Sequence, residues 1–289
     1  MGREMKIQHW VVSSAFGLGI SMAVCPAFAD PPLCAALPRH AALQNALDGA
    51  IGGNGGLGFN EWATIVANDG TVCAIAFSGA DYAGQWLASR VISAQKANTA
   101  NGLSLGKGAP PSSSAFPNGL ALSTANLYSA VQPGGSGYGL QHGNPVDASI
   151  AYLGNVKLFG AANDPLVGNR VGGINAFGGG LALYAIGGIK VGGVGVSGDT
   201  SCTDHFVAWR VRHTLALDHF GGTSGMPLVG GVSGDPAHPD NIIYDITPTT
   251  GGGLLDPVGT LSQSAGGFGH PTCSPATPNP NTLPAVQTP

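Results

Sequence analysis

Two short stretches of this sequence place thiol and imidazole groups at the spacing of metal ligands. Cys202 and His205 lie in C-T-D-H, and His270 and Cys273 lie in the mirrored H-P-T-C. Sulfur and nitrogen donors paired in this way are typical of a tetrahedral Cys2His2 site. In an oxidising compartment the two thiols would more often be joined as a disulfide, so the compartment decides between a metal site and a cross-link.

The start of the chain indicates export. Arg3 and Lys6 precede an apolar run over 10–24, and A-F-A at 27–29 has the A-x-A pattern of a cleavage site. We predict a signal peptide over 1–29 and a periplasmic or secreted mature chain. No later segment offers about 18 uninterrupted apolar residues, so no membrane insertion is expected after cleavage.

The charge balance disfavours nucleic acid as a partner. The whole chain has a net charge of −4, and removal of the leader takes away two basic residues and one acidic residue. A mildly acidic chain is a poor match to a phosphate backbone. Only 9% of the residues are charged and 43% are hydrophobic, which is enough apolar material for one core.

Two β-hairpins are predicted from β-rich runs on either side of tight turns. W-A-T-I-V-A and T-V-C-A-I-A-F flank Asn68-Asp69-Gly70, and Asp-Gly supplies the positive φ that a short turn needs. G-G-G-L-A-L-Y-A-I and I-K-V-G-G-V-G-V-S-G are joined in the same way through Gly187-Gly188. Both hairpins make an antiparallel sheet the expected centre of the fold.

Three helices are predicted around the hairpins, over 33–50, 86–101 and 204–220. The second carries small residues at Ala94, Ala97 and Ala100, which would let it lie close on a sheet. The last would pack through Phe206, Trp209, His213 and Leu217, which share one side at helical spacing. Helices and antiparallel strands together predict an α+β domain.

Two segments rich in glycine and proline interrupt or follow these elements. An irregular insertion is predicted at about 102–176, inside a domain that spans 30–221. The C-terminal tail covers 222–289, and we predict disorder from Ser274 onward.

G-V-G-V-S-G at 193–198 matches the G-x-G-x-x-G pattern of a dinucleotide-binding loop. That pattern is diagnostic only inside a βαβ unit, and the helix that follows leads into the tail without a partner strand. Asp218, at the distance of a ribose-binding acid, has a simpler explanation as a helix-end residue. The glycines would instead let a strand pass close beneath a helix or a bound ring.

Three of these stretches together resemble a known family. They are K-A-N-T-A at 96–100, F-G-G-G-L-A-L-Y at 177–184 and G-G-V-G-V-S-G-D-T-S-C-T-D-H at 192–205. In this order they resemble the exported subgroup of the GlcG/HbpS-like haem-binding family. The domain of that family also forms the C-terminus of PduO-type proteins. The resemblance implies a profilin-like, five-stranded antiparallel sheet flanked by helices, a homo-oligomer, and haem or a related tetrapyrrole as the ligand. The long insertion and the cysteine-bearing tail depart from that pattern.

The resemblance places the haem between the K-A-N-T-A helix and the G-V-S-G junction, but it transfers no axial ligand by motif. Candidate haem-contacting residues are His205 as the iron ligand, Gly195 and Gly198 beside the ring, Lys96, Thr99 and Arg90 near the polar groups, and His142 as a lid ligand on the insertion. Arg210 is a further partner for a propionate. Ordinary explanations stay open for the side chains: a first-turn or solvated loop histidine, and helix capping or solvation for Lys96 and Thr99.

Four cysteines remain after the leader, and the sequence alone leaves three pairings open. Element lengths, combined with the strand order of the resembled fold, favour Cys34–Cys73 and Cys202–Cys273. The second bridge would bring His270 beside His205. The competing metal site would use the same pair of cysteines with His205 and His270.

The function expected from these observations is the carriage, sensing or buffering of haem. An oxidoreductase or haem-modifying enzyme on the same fold is the first alternative, and a metal-binding or structural exported domain is the second. A hydrolase is disfavoured, because no Ser-His-Asp order stands out and Glu61 is the only glutamate after the leader.

Overall fold

The centre of the fold is one antiparallel sheet of four strands in the computed structural model, which describes residues 33–109, 116–223, 225–246 and 264–288. The predicted signal peptide lies outside these ranges. The strands are β1 (Trp62–Ala67), β2 (Val72–Phe77), β3 (Leu120–Ala121), β4 (Gly180–Ala185), β5 (Ile189–Ser197) and β6 (Gly230–Gly231). The sheet has the order β2-β1-β5-β4, and β3 pairs separately with β6.

Six α-helices surround or follow this sheet in the described part of the chain. They are α1 (His40–Ala50), α2 (Leu87–Leu103), α3 (Leu127–Val131), α4 (Leu140–Gly143), α5 (Ala148–Ala151) and α6 (Ser201–Thr214). Single 3₁₀ turns occur at Tyr82–Gly84, Val156–Leu158 and Pro280–Thr282. The mixed α+β class predicted from the sequence is the class that the structure has.

Both predicted hairpins are confirmed. β1 pairs with β2 so that Trp62 lies opposite Phe77, and Gly70 takes the positive φ of 83° that the Asp-Gly turn requires. The turn between β4 and β5 uses positive φ at Gly187 and Gly188. β5 also pairs antiparallel with β1, with Ser197 opposite Trp62, so the last long strand ends where the first begins.

Two predicted helix boundaries are wrong, and local chemistry explains each. The first helix begins at His40 and not at residue 33, because Pro38 lacks an N–H and disfavours helical backbone before it. The last helix begins at Ser201, where the Thr200 side chain accepts from the Thr203 N–H as an N-cap. It ends at Thr214, and the chain beyond it turns back to the edge of β4.

Alternate residues of the strands face opposite layers. Ala63 and Ile65 of β1 belong to the core under α1 and α6, whereas Trp62 and Val66 belong to the core under α2. The small-residue face of α2 lies against the sheet as predicted, with Ala97 fully buried. This two-sided packing fixes the position of α2 relative to the start of α6.

The sheet has four strands in the described part of the chain, so the five that the resemblance implies are not confirmed, and loops border the outer edge of β4. The Thr124 N–H donates to the Gly180 carbonyl, and Tyr184 exchanges backbone hydrogen bonds with Leu217 and His219. Two loop segments therefore cover the outer edge of β4.

The end of the tail is ordered by packing, so the predicted disorder from Ser274 onward is wrong for 274–288. Leu283 and Val286 are buried in the main core, and the Trp209 indole donates to the Pro284 carbonyl at 2.9 Å. Composition alone suggested disorder, but these apolar contacts offset the entropy of ordering the segment.

No helix within the described residues is long and apolar enough to cross a membrane.

Candidate functional site

One buried carboxylate organises the turn between β5 and α6. Asp204 accepts through Oδ1 from the backbone N–H groups of Gly198 at 3.2 Å and Asp199 at 2.9 Å. Its Oδ2 accepts from Lys96 Nζ at 2.6 Å, and the same ammonium donates to the Val196 carbonyl at 3.0 Å. The structure thus brings the K-A-N-T-A helix and the G-V-S-G junction together, but through an ion pair inside the protein.

Glu61 adds a second carboxyl group beside this ion pair. The side chain is 1% exposed, and neither oxygen receives a hydrogen bond from any described group. Burial and then the charge of Asp204 hold the pKa of Glu61 well above its usual range, while Lys96 opposes the shift. The Asp204 carboxylate is stabilised by Lys96 and by two backbone N–H donors, whereas Glu61 has no such partners. We therefore infer that, of these two carboxyl groups, Glu61 holds the proton.

A small pocket lies next to this cluster, between α6 and the glycine-rich loop at 52–58. Its volume is about 160 Å³, and Glu61, Asp199 and Thr203 are among the residues that line it. Asp199 fastens the loop by accepting from the N–H groups of Leu57 and Phe59. Pockets for drug-sized ligands hold roughly 300–1,000 Å³, so this one is too small for a tetrapyrrole.

His205, the candidate iron ligand, is fully buried in α6. Its Nε2 lies 3.2 Å from Asn241 Oδ1 and 3.2 Å from the Ile242 N–H, and its Nδ1 has no hydrogen-bond partner in the described part of the chain. Burial lowers the pKa of His205 to about 4, so the imidazole is neutral. A haem iron could reach Nε2 only if the segment around Asn241 withdrew.

The polar side chains proposed for haem are bound to other parts of the protein. Arg90 donates to Asp164 and stacks on Phe159, and both members of the ion pair are fully buried. Thr99 Oγ1 donates to the Gln95 carbonyl at 2.7 Å and accepts from a backbone N–H at 2.9 Å. Neither group is directed at a ligand-sized space.

The remaining candidates divide between packing and the surface. A Cβ at Gly195 would overlap the Ser93 carbonyl of α2, and one at Gly198 would overlap the Asn60 carbonyl. These glycines therefore allow close approach of protein backbone. Arg210 donates to Asn54, whereas His142 is exposed on α4.

A much larger groove, which the sequence did not indicate, lies beyond the end of β2. It has a volume of about 780 Å³ and is open to solvent. Phe77, Tyr82 and Phe159 supply aromatic lining, and Lys157 and Asp48 supply charge. Its walls come from α1, the β2 end and the insertion, so no contiguous motif could reveal it.

The cysteine–histidine stretches do meet, but not as a Cys2His2 set. Cys202 is bonded to Cys273 and Cys34 to Cys73, the two pairs that the sequence analysis favoured. His270 lies beside the Cys202–Cys273 bridge, and the ligand atoms of the three residues are within 4.8 Å of one another. His205 is not a member of this cluster.

No family model and no curated protein matches this chain. Among solved structures, a PduOC complex with haem is similar over 60% of this chain and 89% of that chain, at 22% identity and a TM-score of 0.38. The Klebsiella pneumoniae protein ORFY, described as a DUF336 protein, is similar over 62% of this chain and 90% of that chain, at 22% identity and a TM-score of 0.39.

Proposed function

We propose that this chain is an exported haem-binding protein that holds the tetrapyrrole in the open groove at the end of β2. The observation that supports this proposal most directly is the groove itself, whose volume of about 780 Å³ falls in the range of sites for drug-sized ligands. Motifs that resemble a haem-binding family point to the ligand, and the groove offers the space that the G-V-S-G junction lacks.

The lining of the groove suits the chemistry of a haem. Iron in haem takes a His, Met, Cys or Tyr ligand, and Tyr82 presents a half-buried phenol on the wall. Phe77 and Phe159 offer apolar ring contacts. Lys157 lines the groove and is the cation expected to bind a haem propionate. Asp48 and Asp81 also line it, and their negative charges would repel a propionate from their side of the groove.

The openness of the groove favours carriage or buffering. Loops at the surface form most of it, so the ligand can enter and leave without opening either hydrophobic core. Bound haem would supply a redox-active iron, and the protein's part is to bind and orient it.

Two further observations support export. The leader pattern over 1–29 is that of a cleaved signal peptide, and two disulfides are typical of proteins in oxidising compartments. Homo-oligomer formation stays a prediction, and light scattering on the purified protein measures it directly.

The test is a hemin titration of the purified mature chain, followed through the Soret band. We expect saturation at one hemin per chain. Tyr82→Phe should change the spectrum and weaken affinity by about tenfold, or about 1.4 kcal/mol, because the phenol oxygen is lost and the ring is kept. Tyr138→Phe is the matched control, since Tyr138 is an exposed tyrosine outside the groove.

His205→Gln separates the two possible locations of the haem. If the groove is the site, this variant keeps the wild-type spectrum and affinity. A changed spectrum in His205→Gln together with an unchanged one in Tyr82→Phe would move the site to the junction. Absence of any Soret shift would reject haem binding, and product formation after adding a reductant and oxygen would indicate an enzyme.

A further inference from the structure

The disulfide between α6 and the tail has a buried histidine beside it. Cys202 Sγ lies 4.0 Å from His270 Nδ1, and the possible ligand atoms of Cys202, His270 and Cys273 all lie within 4.8 Å. The other disulfide, Cys34–Cys73, belongs to no such cluster among the described residues.

The surroundings of His270 already hold the imidazole in position. Its Nδ1 donates to the Pro271 carbonyl at 2.6 Å, so Nε2 must accept from the Ser201 hydroxyl at 2.8 Å. The Tyr128 ring lies 5.3 Å away. For Nδ1 to bind a metal, the ring proton must move to Nε2, which reverses the hydrogen bond to Ser201, and the ring must turn away from the Pro271 carbonyl.

One side of the cluster is less deeply buried than the rest. Cys202 and His270 are buried, whereas Cys273 is half-buried, so a reductant would approach the bridge from the side of Cys273. Reduction would leave two thiols beside the imidazole of His270, with all three ligand atoms still close together. Two thiolates and an imidazole form a recognised ligand set for zinc, with water as the fourth ligand.

We propose that reduction of the Cys202–Cys273 disulfide opens a binding site for one zinc ion, formed by Cys202, Cys273 and His270. A dithiol reductant transfers two electrons and two protons to the disulfide and becomes a disulfide itself. Zinc then replaces the two thiol protons, which pass to solvent. The oxidised protein is closed to the metal, so the site is controlled by redox state. This site is independent of the proposed haem groove.

The experiment reduces the mature chain with a phosphine and measures zinc by competition with a chromophoric chelator. We expect one zinc per reduced chain and none per oxidised chain. Cobalt(II) in place of zinc should show thiolate-to-metal charge transfer. His270→Gln should weaken zinc affinity by at least about tenfold, and Cys273→Ser should reduce the thiolate charge-transfer signal, because only the Cys202 thiolate remains.

The matched control is the double variant Cys34→Ser and Cys73→Ser, which removes the other disulfide. We expect it to bind one zinc per reduced chain, as the wild type does. Near-ultraviolet circular dichroism of the buried tryptophans reports whether each protein stays folded. Zinc binding that is unaffected by His270→Gln, or lost only in the control, would overturn the proposal. A reduced chain that unfolds and does not regain its signal with zinc would overturn it as well.

Discussion

The insertion and the C-terminal tail contain only short helices and strands in their described parts, yet each is fastened to a long helix by the same pair of residue types. Arg90 of α2 pairs with Asp164 of the insertion, and Arg212 of α6 pairs with Asp240 of the tail. All four side chains are fully buried. Each guanidinium also stacks on aromatic rings, 3.5 Å from the Phe159 centroid in the first case.

The two segments differ in what supplements the ion pair. The tail adds the Cys202–Cys273 bridge and apolar contacts to the main core, whereas most of the buried apolar residues of the insertion pack with α2 on the opposite face of the sheet. The described part of the insertion contains no cysteine. The more lightly fastened segment forms a wall of the open groove, as expected for a ligand site that must admit its ligand.

Arg212→Met should produce the largest loss of stability. The change leaves the Asp240 carboxylate buried without its cation, and breaking such a pair costs about 3–5 kcal/mol. Chemical denaturation with both disulfides intact measures the free energy of unfolding. Arg210→Met, on the same helix but half-exposed, should cost only about 1 kcal/mol. Equal losses in the two variants would show that the buried pair has no special role.

Arg90→Met should destabilise the insertion more than the rest of the molecule. No cross-link holds the segment once Asp164 loses its partner, and Asp164 also accepts from the Gly160 N–H at the groove wall. We expect faster proteolytic cleavage within the insertion and loss of hemin binding. The comparison between the two segments would fail if the tail were cleaved first in this variant.

Glu61→Gln tests how the pH dependence of stability arises in the sheet and helices that the insertion and the tail flank. Below about pH 4.3 glutamate is protonated in the folded and unfolded chains alike. At higher pH the unfolded chain releases this proton while folded Glu61 keeps it, because its pKa is raised. Wild-type stability should therefore fall with rising pH by up to about 1.4 kcal/mol per pH unit relative to the variant.

Denaturant titrations from pH 4 to pH 8 measure that slope. Asp48→Asn, which alters an exposed carboxylate on α1, is the control and should follow the wild-type curve. Parallel curves for wild type and Glu61→Gln would mean that Glu61 is ionised in the folded protein.

Gly102→Ala should have the smallest effect and marks where the insertion begins. Composition placed that boundary at 102, but α2 continues through Leu103, and a Cβ at Gly102 would meet nothing within 4 Å. Alanine in a helix is favoured over glycine by up to about 1 kcal/mol, so thermal unfolding should shift upward. No gain would place residue 102 outside the helix.

Much of the regular structure could be predicted from local sequence. The Asp69-Gly70 and Gly187-Gly188 turns have few alternatives once β-rich runs flank them, and the small face of α2 predicted its close packing on the sheet. The boundaries that failed depended on Pro38 and on the return of the chain after Thr214, where a single residue or a distant edge decides the end of a helix.

The residues of the candidate site could not be predicted from local sequence in the same way. A histidine beside glycines, such as His205, has the same local sequence whether it faces a ligand or the core. Arg90 and Arg212 lie on buried faces of their helices and so demand acidic partners, but the sequence does not say which aspartates approach them.

The sequence by itself determined the α+β class, both hairpins and the cysteines available for cross-linking, because these depend on residue types over a few neighbouring positions. Only the tertiary structure decided that the side chains proposed for haem at the junction are bound to other groups of the protein, and that a groove forms where α1, β2 and the insertion converge. Such a groove is lined by residues up to more than 100 positions apart, such as Gln44 and Lys157, and local propensity carries no information about how they come together.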